Sequence, residues 1–359
     1  MTRLLIVDDS PLMRRLLTDI FAAAGGFELE VARGGEEALA TLPVFRPDVV
    51  TLDINMPGMN GLACLDRIML ERPCPVVMLS ALTTEGANAT LEAMALGAVA
   101  FVAKPKGAVS IEMEASADML VETVRAAARL TLPLTARLAE RLRAQRSQRA
   151  ADTVLRPSRP QARPSAGPAA TELVLVGSST GGPGALDTIL RDLPADFPAA
   201  IVVAQHMPAA FTGPLAGRLD RLCAIAVREL TGPTILQPGH AYIGQGERDV
   251  LITRRRGAVA AMPAPASPDH HWHPSVDRMV ASALDMVGPD RLVGVLLTGM
   301  GADGASTMAQ LRAKGGRTIA EAQETAVVWG MPGALVRAGG AQFVEPVDAI
   351  GPLLVTLAG

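Results

Sequence analysis

Between Arg3 and about Val124 the chain alternates short β-branched runs with helical patterns, five times over. The runs are Leu4 to Val7, Leu29 to Ala32, Asp48 to Leu52, Pro75 to Leu79 and Val99 to Val102. Such alternation predicts a doubly wound parallel sheet covered by helices on both faces. In an open sheet of this kind, reactive groups gather at the carboxyl ends of the strands. Here the first run ends on Asp8 and Asp9, and the third on Asp53 in TLDINMPGMNG. The fourth ends on Ser80 and Ala81, and the fifth on Lys104 in FVAKP.

Three carboxylates converging in a small volume repel one another unless a cation sits among them. Magnesium prefers oxygen ligands and keeps several waters, which suits two carboxylates and a backbone carbonyl. Asp53 can then attack a phosphoryl group, with Lys104 and the Ser80 hydroxyl holding the phosphate oxygens. One aspartate at a strand end is usually a solvated cap. Four matched strand ends in order are a much rarer coincidence.

A chain of 359 residues is long for one domain, and at 49% hydrophobic it can bury two cores. A net charge of −3 favours neither nucleic acid nor an anionic membrane as partner. The three cysteines, Cys64, Cys74 and Cys223, form no CxxC pair, so a reducing compartment fits. No signal peptide is expected in MTRLLIVDDSPLMRR, and no apolar stretch approaches about eighteen residues, so no membrane insertion and a cytoplasmic protein are expected.

From Arg125 to Arg163 ten arginines face Glu140 and Asp152, a local balance of +8. LTARLAERLRAQ can be helical, and RPSRPQARPSAGPAA reads as an extended tether. Solvation explains these charges most simply; docking on an acidic surface is the sharper alternative. The expected division is therefore 1–124, a linker 125–170, and 171–359. Alternation resumes with ELVLVG, AAIVVAQ, HAYIG, DVLIT, LVGVLLTG and RTIAEA, with helical stretches from Ser275 to Val287 and Ala305 to Ala313. Short strands without helices between about Ala224 and Ala261 predict an antiparallel addition.

ELVLVGSSTGGPGAL reads as strand, tight turn and helix, and Gly177, Ser179 and Gly181 satisfy G-x-S-x-G. The turn exposes a hydroxyl beside a helix N-terminus, where unpaired N–H groups favour developing negative charge. The same loop can cradle a dinucleotide, but that fingerprint wants an acid after the next strand. That strand ends on Gln205 and His206 instead. His206 stands where a general base can reach Ser179, although a lone histidine there is more often structural. LVGVLLTGMGADG delivers Asp303 into a glycine-rich turn. Asp303 can hold the imidazole in the right tautomer, or can simply cap a helix.

The N-terminal half resembles the receiver domains of two-component signalling, through Asp8-Asp9, D-x-x-M-P-x-x-N-G and Lys104-Pro105. GSSTGG, QHMP, PGHAYI, PSVD, LTGMGADG and GMP resemble, in order, the catalytic domain of the chemotaxis protein-glutamate methylesterases, the CheB family. The resemblance implies a flavodoxin-like five-stranded receiver and a Rossmann-like α/β methylesterase domain with a short antiparallel addition. It implies phosphorylation at Asp53, magnesium (Mg2+) on Asp8, Asp9, Asp53 and the Asn55 carbonyl, and Phe101 as the aromatic switch. Ser179 would be the nucleophile, His206 the base and Asp303 its orienter, with the Met300 N–H in the oxyanion hole and Thr180 beside the nucleophile. The esterase chemistry would need no cofactor.

The implied partners are methyl-accepting chemotaxis receptors and the histidine kinase of the chemotaxis system as phosphodonor. The implied activity is phosphorylation-activated demethylation of receptor glutamates, with glutamine deamidation by the same machinery. A phospho-gated binding module without catalysis, or an esterase for another signalling protein, are the alternatives. Two departures stand out: Ser178 where the family has alanine, and His-His-Trp-His at 270–273. The latter is expected to be a mobile surface loop without an acid partner, and His240 a structural turn residue.

Overall fold

The structure, a computed structural model, describes residues 1–80, 84–104, 111–130 and 172–359. The chain divides into two compact units, Met1–Pro157 and Ser158–Gly359. That division falls inside the segment 125–170 expected to be a linker. The proposed arginine-rich helix and proline-rich tether lie outside the described residues.

In the first unit the strands are β1 (Thr2–Val7), β2 (Phe27–Ala32), β3 (Val49–Asp53), β4 (Val76–Ser80) and β5 (Ala100–Ala103). They alternate with α1 (Pro11–Ala24), α2 (Gly35–Phe45), α3 (Gly61–Glu71), α4 (Thr84–Leu96) and α5 (Ile111–Ala127). The helix α5 thus runs past the boundary expected at 124. All pairings are parallel, in the order β2-β1-β3-β4-β5. The sequence sets helix starts locally. Ser10 accepts the Met13 N–H with Pro11 in the first turn of α1, and Asn60 accepts the Ala63 N–H at the start of α3. Strand order reverses between β1 and β3, so their ends, Asp8-Asp9 and Asp53, flank one crevice.

The second unit holds a seven-stranded parallel sheet in the order β15-β14-β13-β6-β7-β10-β8. Its members are β6 (Leu173–Ser178), β7 (Ala200–Gln205), β8 (Ala226–Leu230), β10 (His240–Gly244), β13 (Leu292–Leu296), β14 (Arg317–Glu321) and β15 (Phe343–Glu345). Every residue of β6, β7 and β13 is buried, as continuous apolar runs require when helices cover both faces. The helices are α6 (Gly182–Arg191), α7 (Ala209–Leu222), α8 (Val276–Met286), α9 (Ala305–Ala313), α10 (Met331–Arg337) and α11 (Val347–Ala358).

The antiparallel addition exists as β9 (Thr234–Ile235), β11 (Arg248–Arg255) and β12 (Ala258–Pro265). The region around it is more divided than expected. β8 and β10 join the main parallel sheet, and His240 opens β10 rather than occupying a turn. Val250 and Ile252 of β11 share a core with Met279 and Ala283 of α8, and the Ile252 N–H donates to Ser282 Oγ at 2.9 Å. The hairpin therefore fixes the helix that leads into the site described next.

Candidate functional site

The sheet of the second unit reverses direction at β6, which has β7 on one side and β13 on the other. Three loops therefore open together at the carboxyl ends of these strands. The first carries Ser179. Its N–H donates to Thr298 O at 2.9 Å, and its carbonyl accepts the Gly182 N–H at 2.8 Å. Gly181 adopts φ +81°, and a Cβ there would stand 2.6 Å from Val327 Cβ, so the turn needs glycine on both counts. Ser179 is left half-buried just before α6. Its neighbour Ser178 is fully buried and donates to Gln205 Oε1 at 2.7 Å. Gln205 Nε2 donates to the carbonyls of Ser179 and His206 at 2.9 and 3.0 Å. The extra hydroxyl thus belongs to a clamp between two strand ends, and Ser179 is the less buried of the two serines.

His206 follows β7, and its Nε2 lies 2.9 Å from Asp303 Oδ2. A proton on Nε2 satisfies that pairing and leaves Nδ1 with a free lone pair. Nδ1 is buried and has no hydrogen-bond partner, Ser179 included. An unpaired basic nitrogen shielded from water is the group a general base requires. Asp303 Oδ2 also accepts the Val276 N–H at 2.7 Å, and Oδ1 accepts Asp277 N–H at 3.0 Å and Ser275 Oγ at 3.2 Å. Burial would raise the Asp303 carboxyl, but the hydrogen bond and charge of His206 and these backbone donors outweigh it and hold the group below the ordinary range. Asp303 thus meets His206 and the first turn of α8, and does not cap the α9 that follows it in sequence.

The third loop, Thr298 to Met300, lies against Ser179. A Cβ at Gly299 would stand 2.7 Å from Ser179 Cβ, so Met300 follows a residue in contact with Ser179. Thr298 is the junction. Its hydroxyl donates to Thr180 O at 2.8 Å and accepts the Val328 N–H at 2.9 Å. Its own N–H donates to Glu321 Oε2 at 2.7 Å. Glu321, at the end of β14 and 1% exposed, also accepts from Thr325 Oγ1 at 3.1 Å. Burial pushes its carboxyl up to about 7 against the pull of Thr298 and Thr325. Sequence reading gave Glu321 no role, because a lone acid ending the strand RTIAEA carries no motif of its own.

The expectation for His270 to His273 is corrected. The loop has an acid partner: His273 Nδ1 lies 2.9 Å from Oδ1 of the fully buried Asp249. Asp249 also accepts the N–H groups of Ser275 and Ser267 and pairs with Arg278 Nη1 at 2.6 Å. Burial alone would raise this carboxyl, but His273, Ser275 and Arg278 together lower it. His270 Nδ1 is 3.3 Å from Ser275 Oγ, and Trp272 stacks on His206 with ring centroids 5.4 Å apart. The loop is therefore tied down beside His206. Asp249 begins a strand, more than twenty positions earlier, and nothing in the sequence pairs it with the histidines.

In the first unit, Lys104 Nζ lies 2.8 Å from both Asp8 Oδ2 and Asp53 Oδ2. Carboxylate oxygens of Asp8, Asp9 and Asp53 all lie within 4.8 Å of one another, with Asp9 exposed. Such a set fits a hard, oxygen-seeking divalent cation. Burial raises Asp53, with Lys104 and the Asn55 N–H pulling against it; burial would lower Lys104, but Asp53 and Asp8 outweigh it and hold it charged. The Asn55 N–H donates to Asp53 Oδ1 at 3.2 Å. The buried Ser80 hydroxyl donates to Gly86 O at 3.3 Å, and Phe101 is half-buried against the core around β3 and β4. Among the described residues, no helix is long and apolar enough to cross a membrane.

Two family models match the chain: the CheB methylesterase model over residues 174–354, and the response regulator receiver domain model over residues 4–114. The chain is 53% identical over 358 residues to a protein-glutamate methylesterase/protein-glutamine glutaminase of Rhodopseudomonas palustris, covering 99% of this chain and 98% of that one. A Rhodospirillum rubrum protein of the same description is 49% identical over 98% of this chain and 94% of its own. The crystal structure of the Thermotoga maritima CheB methylesterase catalytic domain matches 52% of this chain and 98% of that chain, at 38% identity and a TM-score of 0.50.

Proposed function

The chain belongs to the CheB methylesterase family, and from that membership we propose that it is a phosphorylation-activated serine hydrolase. Its substrates are glutamate γ-methyl esters on the cytoplasmic helices of chemotaxis receptors, and glutamine side chains at equivalent positions. The observation that carries this reading is His206: its Nε2 meets Asp303, its buried Nδ1 has no partner, and its backbone N–H donates at 3.0 Å to the carbonyl of Ser178, the residue before Ser179.

In the proposed reaction, Ser179 Oγ bonds to the ester carbonyl carbon as its proton passes to His206 Nδ1. The carbonyl oxygen becomes an oxyanion, stabilised by backbone donors that include the Met300 N–H, each contributing about 3 kcal/mol in comparable sites. The tetrahedral centre collapses, the C–O bond to methoxide breaks, and the departing oxygen takes the proton from Nδ1 as methanol. Water then attacks the acyl-enzyme, giving its proton to the same nitrogen, and glutamate is released with Ser179 restored. With a glutamine, the bond broken is C–N and ammonia leaves. Asp303 stays ionised throughout and stabilises the imidazolium.

Asp53 accepts a phosphoryl group from the histidine kinase of the system, the P–N bond breaking as the Asp53 oxygen bonds to phosphorus. Asp8, Asp9, Asp53 and the Asn55 carbonyl would hold magnesium, which neutralises charge on the transferring group. Lys104 would pair with the phosphate oxygens, and Ser80 and Phe101 would respond to them. The expected division, receiver 1–124, linker 125–170 and esterase 171–359, follows the two functions. Methanol release from methylated receptor is the test, with and without a phosphodonor. Release that is unchanged in Ser179→Ala sinks the serine-esterase reading.

A further inference from the structure

The hydrolytic reading leaves Trp272 without a task, yet its indole is stacked, offset and nearly parallel, against the imidazole of His206. The ring centroids of Trp272 and His206 are 5.4 Å apart and the planes differ by 10°. The indole is itself held. His271 meets it edge-on at 4.7 Å, and a Cβ at Gly301 would lie 3.7 Å from its Nε1. Behind it, His273 and Ser275 are anchored to the buried Asp249 at 2.9 and 2.8 Å. The stack therefore belongs to a built segment.

Two consequences follow for the imidazole. A single hydrogen bond at Nε2 fixes a direction within the ring plane but leaves the ring free to tilt about it. A face-on indole removes that freedom, and with it the spread in where Nδ1 points. The second consequence is electrostatic. The indole face carries the negative part of its quadrupole, so it attracts a cation more than a neutral ring. In the proposed reaction His206 carries a full positive charge while it holds the serine proton. The interaction is therefore stronger in the transition state than in the resting enzyme, and such an effect raises kcat without tightening substrate binding.

We infer that Trp272 is a positioning residue for His206, fixing the tilt of the imidazole and favouring its charged form through the indole face. The inference rests on the reading of His206 as general base. It also gives the departure at residues 270–273 a purpose: the tryptophan supplies an aromatic lid, and the histidines and Asp249 hold the lid in place.

The test uses the full chain with Trp272→Leu, which keeps an apolar cover but has no π face, and Trp272→Phe, which keeps one. Two readouts are taken. One is methyl ester hydrolysis, separated into kcat and KM. The other is the ring-proton NMR signals of the five histidines, with His206 assigned by its loss in His206→Gln. An imidazole beneath an indole is shifted upfield by the ring current. Trp272→Leu should lose that shift and lower kcat about three- to thirtyfold with KM within about twofold. Trp272→Phe should recover most of kcat and part of the shift. Wild-type kcat in Trp272→Leu, equal losses in both variants, or a change confined to KM each overturn the inference. If the wild-type chain hydrolyses no methyl ester, the proposed function falls. The stack is then decided by the ring-current shift alone: a shift lost in Trp272→Leu and retained in Trp272→Phe supports it, and a shift indifferent to Trp272 refutes it.

Discussion

His206 Nε2 and Asp303 Oδ2 lie 2.9 Å apart, and the same carboxylate oxygen accepts the Val276 N–H at 2.7 Å. The carboxylate proposed to orient His206 is thus hydrogen-bonded to the first turn of α8 (Val276–Met286). Asp303→Asn keeps the size and one acceptor, but an amide turned to accept from Asp277 N–H and Ser275 Oγ offers its NH2 to the imidazole. Nε2 must then carry the lone pair, and Nδ1 the proton. A fall of about 10³- to 10⁴-fold in kcat is expected in methanol-release assays. The lost charge at the helix N-terminus should cost about 1 kcal/mol as well, read by denaturant unfolding. Near-normal turnover would leave Asp303 as a cap alone.

Adjacent serines should behave oppositely. Ser179→Ala removes the attacking oxygen and should reduce esterase activity on the order of 10⁴-fold or more, with unfolding unchanged. Ser178→Ala leaves Gln205 Oε1 without its 2.7 Å donor in a buried place. Its expected cost is about 1–3 kcal/mol of stability and less than about tenfold in kcat. A dead Ser178 variant beside an active Ser179 variant would reassign the nucleophile.

Glu321 makes stability depend on pH with a definite sign. Its carboxyl is pushed up to about 7 in the folded chain, from an ordinary 4.5. The folded state therefore binds this proton more tightly than the unfolded state. Its contribution is fully present below pH 4.5, is lost as pH rises through the window to about 7, and is flat above. Glu321→Gln is neutral throughout, and its amide oxygen can still accept the Thr298 N–H. Thermal melts should show wild type losing stability relative to the variant from pH 5 to pH 8, with the variant at least equal at pH 8. Parallel profiles would mean that the carboxyl does not hold its proton in the fold.

Control should pass through one carboxylate. Asp53→Ala is expected to abolish activation by a small-molecule phosphodonor with magnesium, and to leave basal methanol release within about twofold. Chelating the magnesium should remove the response of the wild-type chain in the same way, since the transferring phosphoryl charge would go unneutralised. Activation that survives in Asp53→Ala would place the phosphorylation site elsewhere.

Replacing Gly299 tests how closely the loop at Met300 meets the nucleophile. An added methyl would stand 2.7 Å from Ser179 Cβ and would also strike Met331 Sδ. Gly299→Ala should therefore lower kcat by at least about 10²-fold, comparable to losing one oxyanion donor. Full activity in that variant would show that the loop yields without consequence.

The strands and the residues that follow them are legible along the chain alone. Buried parallel strands are apolar on both faces, so they stand out as unbroken runs, and the chain must turn sharply where each stops. Asp8, Asp9, Asp53 and Lys104, and likewise Ser179, His206 and Asp303, sit at those stops, and the turn glycines around them are local necessities. Which partners meet across the chain depends on how the elements pack. Strand order put β10 between β7 and β8, and brought Asp303 to His206 across 97 positions. It also placed Asp249 under His273, Glu321 under Thr298 and Trp272 over His206. Periodicity reports whether a side chain faces a core. It does not report what stands opposite, because that distance is set by how separate elements pack and not by spacing along one of them.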